Sequence, residues 1–132
     1  MIEKAASCKK GHAEFFVEEF GGFTHSLVEE CTRSNNDSHF LSATISSVIV
    51  KTDMLDNICS QNSFAPNFIK IDIEGADYDV LKGASNILKN VNGLMVEVSK
   101  HKNDGLSLLT ECGFKQSDGA TKTNNYFFVK VS

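Results

Sequence analysis

The chain has 132 residues, 41% of them apolar and 23% charged, with 13 basic against 17 acidic side chains and a net charge of −4. That length fits one domain with a real core, and the apolar content excludes a disordered chain. The acidic balance argues against nucleic acid or an anionic membrane as partner, because both select for clustered cations; the densest basic spots are only Lys9-Lys10 and Lys100-His101-Lys102.

Nor does any apolar run approach the ~20 residues that cross a bilayer. Residues 1–7 carry no apolar segment of a secretion signal. Cys8, Cys31, Cys59 and Cys112 are too scattered for a CxxC metal or redox motif, so reduced thiols in a cytoplasmic protein are expected.

In chain order, Ala13-Glu14-Phe15-Phe16-Val17 reads as a strand, Gly21-Gly22 as a turn, and Ser34-Asn35-Asn36-Asp37-Ser38 as a loop. Residues 45–51 form a second, β-branched strand. A short helix follows, with Thr52 or Asp53 as N-cap and Met54, Leu55 and Ile58 facing inward. After the single proline, Pro66, residues 67–73 form a compact apolar strand. Ala76, Val80, Leu81, Ala84, Ile87, Leu88 and Val91 then recur at helical spacing. Gly83 falls inside that stripe, where close packing or a break is expected. Residues 93–98 form another strand, and a helix around Leu106, Leu108 and Leu109 stops at Gly113. Phe114-Lys115-Gln116 pairs with residues 126–131 as a hairpin.

Strand, helix, strand, helix predicts an α/β, doubly wound sheet with parallel strands, closed by an antiparallel edge. The first 51 residues are irregular strand and loop; 52–132 carry the regular part of a single domain.

The segment Lys70-Ile71-Asp72-Ile73-Glu74-Gly75 is where chemistry is expected. Alternation puts Lys70, Asp72 and Glu74 on one face of the strand and Ile69, Ile71 and Ile73 on the other. Asp72 and Glu74 lie at the carboxyl end, where open α/β sheets bind ligands. Gly75 allows a sharp turn into the helix. Glu97 ends the next strand, about 4.8 Å away if the two are neighbours. A plainer reading is a charge cluster in which Lys70 neutralises Asp72 or Glu97, with Glu74 and Asp77 as favourable acids at a helix start. No metal site is expected as the first reading.

Phe68-Ile69-Lys70-Ile71-Asp72-Ile73-Glu74-Gly75-Ala76-Asp77, then Val80-Leu81-Lys82-Gly83-Ala84 and Val96-Glu97-Val98, resembles the FkbM-type S-adenosylmethionine-dependent methyltransferases, whose pattern there is roughly I-K-I-D-V-E-G-A-E, V-L-K-G-A and a strand ending E-V. Thr52-Asp53-Met54-Leu55-Asp56 looks like the family's T-x-L-D element, offset by one residue. Ala5-Ala6-Ser7, Gly11-His12-Ala13-Glu14-Phe15 and Gly21-Gly22-Phe23-Thr24-His25-Ser26-Leu27 look like its A-A-x-S, G-x-A-x-F and G-G-x-x-S-L elements.

The resemblance implies a Rossmann-like class I methyltransferase sheet, truncated at the N-terminus and matched from the family's third strand onward. It is expected to be mostly parallel, with a C-terminal antiparallel β-hairpin and without the family's glycine-rich loop. The implied activity is S-adenosylmethionine-dependent O-methylation of a hydroxyl on a sugar or secondary metabolite. Asp72 is then the first candidate for base or substrate positioning, Glu74 the second. Glu97 contacts substrate or orients Lys70, Lys70 and Gly75 support the site, and Ala6 and Ser7 border the adenine. His25 and His101 are further candidates at the acceptor side.

Two other readings use the same residues. Asp72, Glu74 and Glu97 as hard oxygen ligands for Mg²⁺ would suit phosphoryl transfer. A non-catalytic binding or assembly module would use the open sheet edge to take a partner chain or a second copy.

Overall fold

The computed structural model describes residues 2–18, 45–73, 75–97, 101–117 and 125–131. The expected turn at Gly21-Gly22, the loop at residues 34–38, His25 and Glu74 lie outside the described residues. The strands are β1 Ala5–Ser7, β2 Gly11–Glu18, β3 Ile45–Met54, β4 Phe68–Ile71, β5 Gly93–Glu97, β6 Phe114–Gln116 and β7 Asn125–Lys130. The helices are α1 Leu55–Gln61, α2 Asp77–Lys82, α3 Ile87–Asn90 and α4 Lys102–Glu111.

Among the described residues the architecture is mixed α/β with two sheets, in strand orders β1-β3-β2 and β4-β5-β7-β6. β1 pairs with β3 in parallel and β4 with β5 in parallel. The β2–β3, β5–β7 and β6–β7 ladders are antiparallel. Among the described residues the expectation of one mostly parallel sheet is therefore corrected. β2 and β3 fold back on each other over eight register pairs, and β7 inserts between β5 and β6. The expected hairpin of Phe114–Gln116 with the tail is present, and Gly113 adopts φ 81 just past α4, as a helix-ending glycine does.

Thr52 and Asp53 do not cap the first helix. Their backbone pairs with Ala5 and Ala6, which carries β3 on to Met54 and makes Met54 the helix-flanking residue. Leu55 packs against the core and Ile58 is buried, as expected. The apolar stripe from Ala76 to Val91 does face the core, yet it is divided between α2 and α3. Gly83 is responsible. A Cβ there would overlap the Ser7 carbonyl oxygen and lie 3.1 Å from its carbonyl carbon, so β1 can pack directly on the end of α2. The Gly83 carbonyl accepts a hydrogen bond from Asp56 N at 3.0 Å. The Asp56 carboxylate in turn accepts from Asn86 N and Ile87 N, at 2.9 and 2.8 Å, and so caps α3 from across the fold.

The core joins Ile71 of β4, Val80 and Leu81 of α2, Leu88 of α3, Leu94 and Val96 of β5, Leu109 of α4 and Phe128 of β7, all essentially buried. Lys130, at the end of β7, donates to the carbonyls of Leu88 and Cys112 at 2.9 and 2.6 Å, neutralising the ends of two helices at once.

Candidate functional site at the carboxyl ends of β4 and β5

The parallel register sets Lys70 beside Met95 and Ile71 beside Val96. Asp72 and Glu97 therefore leave their strands side by side. Ile71 is buried and Ile69 and Ile73 pack against the core, whereas Lys70 and Asp72 are exposed, so the alternation read from sequence holds. A central parallel strand would bury that charged face. Among the described residues β4 instead lies at the edge of its sheet, which leaves Lys70 and Asp72 open to solvent.

Lys70 Nζ lies 2.7 Å from Asp72 Oδ2, with the Asp72 side chain 42% exposed. Asp72 is held below the usual carboxylate range, first by the hydrogen bond from Lys70 and then by one shared with Glu97. The Lys70 ammonium favours the charged form of Asp72. The neutralising role considered for Lys70 is thus met at Asp72.

Gly75 adopts φ 78, and the turn it makes is held by Asp77, 1% exposed, whose Oδ1 accepts from Ile73 N at 3.4 Å. Asp77 also sits in the first turn of α2, where a carboxylate complements the helix dipole. Beside β4 a mostly apolar cleft of about 540 Å³ is lined by Leu55, Cys59, Phe64, Pro66, Phe68 and Ile69, together with Lys70.

Ala6 and Ser7 lie elsewhere. Ala6 packs against the core, and the Ser7 carbonyl lies against Gly83 at the C-terminal end of α2. Asp72 lies at the other end of that helix, roughly 9 Å along its axis for six residues at 1.5 Å each. The backbone of Ala6 and Ser7 is committed to β3 and to Gly83. Asp72 is an exposed carboxylate that the described residues present at the strand ends. Among them no group of three or more His, Cys, Asp or Glu side chains is arranged to hold a metal ion.

Sequence reasoning missed Asp53 as a buried ion. Its carboxylate is fully enclosed and pairs with Lys4 Nζ at 2.8 Å, while accepting from Asn57 Nδ2 at 2.9 Å and Met54 N at 3.0 Å. It missed as well the contact of Tyr78 with His101, ring centroids 5.6 Å apart. Neither contact leaves a local pattern, since each joins residues far apart in the chain.

Fold and site together define a mixed α/β protein that presents a lysine-paired carboxylate, Asp72, where two parallel strands end. The methyltransferase FkbM domain matches residues 4–115, and the chain belongs to that family. It is similar to the hexuronic acid methyltransferase AglP of Haloferax volcanii, with 36% identity over 92 residues that cover 67% of this chain and 37% of the relative. The chain thus spans little more than a third of the curated relative it matches. No solved structure matches it significantly. No helix among the described residues is long and apolar enough to cross a membrane.

Proposed function

We propose that this chain carries the substrate side of an S-adenosylmethionine-dependent O-methyltransferase acting on a sugar hydroxyl, with a Rossmann-like methyltransferase sheet as its frame. The observation that carries this reading is Asp72, paired with Lys70 at 2.7 Å where two parallel strands end. A carboxylate there accepts the hydrogen bond of a substrate hydroxyl and fixes its oxygen; such positioning is worth several kcal/mol, up to roughly 7–11 in ideal cases. The hexuronic acid named for the relative supports a sugar, and a sugar acid in particular, as the molecule bound.

Lys70 keeps Asp72 charged, and Glu97 sets its orientation through their shared hydrogen bond. Cys8, Cys59 and Cys112 are free thiols, which suits a cytoplasmic setting. The exposed edge of β4 is the place for a partner chain or a second copy.

Calorimetric titration of the chain with glucuronic acid tests this reading. Saturable binding that weakens at least tenfold in Asp72→Asn is expected, as for the loss of one charged hydrogen bond. Equal binding by both proteins, or none by a folded wild type, would sink it. Titration with S-adenosylhomocysteine reads the donor side separately.

A further inference from the structure

Among the described residues β4 and β6 are the outer strands of the second sheet, and an outer strand is a template for another chain. The two edges differ in charge. β6 has a single charged residue, the exposed Lys115, and so presents one sign only, as a guarded edge does. β4 presents both signs. Lys70 and Asp72 stand two residues apart on its solvent face, 57% and 42% exposed, while Ile69, Ile71 and Ile73 turn toward the core.

That alternation is self-complementary. In an antiparallel pair, residues directly opposite each other share a face, and a slip of one residue would set isoleucines against charges. The registers that keep the faces matched about a two-fold axis place that axis at Ile69, Lys70 or Ile71. An axis at Lys70 sets lysine against lysine, which repels. An axis at Ile69 sets Asp72 against Pro66, which brings neither a charge nor an N–H. An axis at Ile71 sets Lys70 of each copy against Asp72 of the other. Each charge then meets the opposite sign both along its own strand and across the pair. Asp72 also leaves its strand beside Glu97 on the β5 side, so a cation is favoured on its open side. In the same register Ile71 meets its own copy and Ile69 meets Ile73, which carries the apolar face across the junction. The ladder ends there, since Ile73 already donates to Asp77 and accepts from Ala76 N.

Resting on the reading of this edge as a docking place, we infer that its occupant is a second copy of the chain, paired antiparallel through β4 about a two-fold axis at Ile71, with Lys70 of each copy opposite Asp72 of the other. The contact is isologous and closes on itself as a dimer. Exposed ion pairs add little affinity, so the charges select the partner and the register. The short strand makes the dimer a concentration-dependent one.

The test is sedimentation velocity of the full chain at rising concentration, alongside Lys70→Asp, Asp72→Lys, an equimolar mixture of the two, and the double exchange that carries both. Circular dichroism checks that each variant is folded. The wild type is expected to dimerise as its concentration rises. Each single variant faces its copy with like charges and should dimerise at least about tenfold more weakly. The mixture and the double exchange restore opposite charges and should dimerise again. If the wild type dimerises and Phe68→Lys disperses it, but the mixture of folded single variants stays monomeric, this inference falls and the edge remains a docking place. A wild type that stays monomeric at millimolar concentration overturns the inference outright.

Discussion

Asp53 is a buried carboxylate kept ionised by its surroundings. The bond from Lys4, followed by that from Asn57, pulls its pKa from 3.8 down to about 2 against the opposing effect of burial. A group depressed in the fold stabilises it fully above the unfolded value of 3.8 and loses that contribution as the pH falls through about 2. Asp53→Asn should therefore flatten the acid limb of the stability curve between those values, read as melting temperature against pH by circular dichroism. An unchanged acid limb would assign it to other carboxylates. In the sequence Asp53 reads as a helix cap because it precedes an apolar helical run. The ladder with Ala6 overrides that reading, and the carboxylate accepts instead from Met54 N and the Asn57 side chain. Its cation, Lys4, lies 49 residues away, and no local pattern announces such a partner. Asp72 was legible because alternation and strand position mark it, but its exposure was not, since the strand's place within the sheet is invisible to its own residues.

The break between α2 and α3 belongs to the scale of elements. Periodicity could not divide the stripe, because both helices turn the same apolar residues toward one core. What divides them is the Ser7 backbone pressing on Gly83, with Asp56 capping the helix that resumes. Helix propensity alone would favour Gly83→Ala by about 1 kcal/mol. Contact with the Ser7 carbonyl should reverse the sign and cost about 1–3 kcal/mol, lowering the melting temperature by roughly 5–15 °C. A variant that melts higher than the wild type would show that β1 does not seat on α2. The hairpin and the end of α4 were legible from Gly113 and its flanking apolar residues, because turn chemistry is local.

At the scale of the whole molecule, the strands were legible but their ladders were not, since pairing between distant segments is decided by which apolar faces meet. Among the described residues, two sheets with β4 at an edge are the result. Phe64 and Phe68 are more than half exposed beside that edge, and unpaired strand edges recruit other strands. Light scattering coupled to gel filtration should show self-association that Phe68→Lys diminishes; a monomeric wild type at high concentration would mean that the edge is not used by a second copy. The strand order β4-β5-β7-β6 has a consequence for biosynthesis. β5 and β6 leave the ribosome before the strand that joins them, so Leu94, Val96 and Phe114 must wait without their sheet neighbour. The nascent chain therefore passes through a stage in which this sheet is split down the middle, and it is then that chaperones have most to hold.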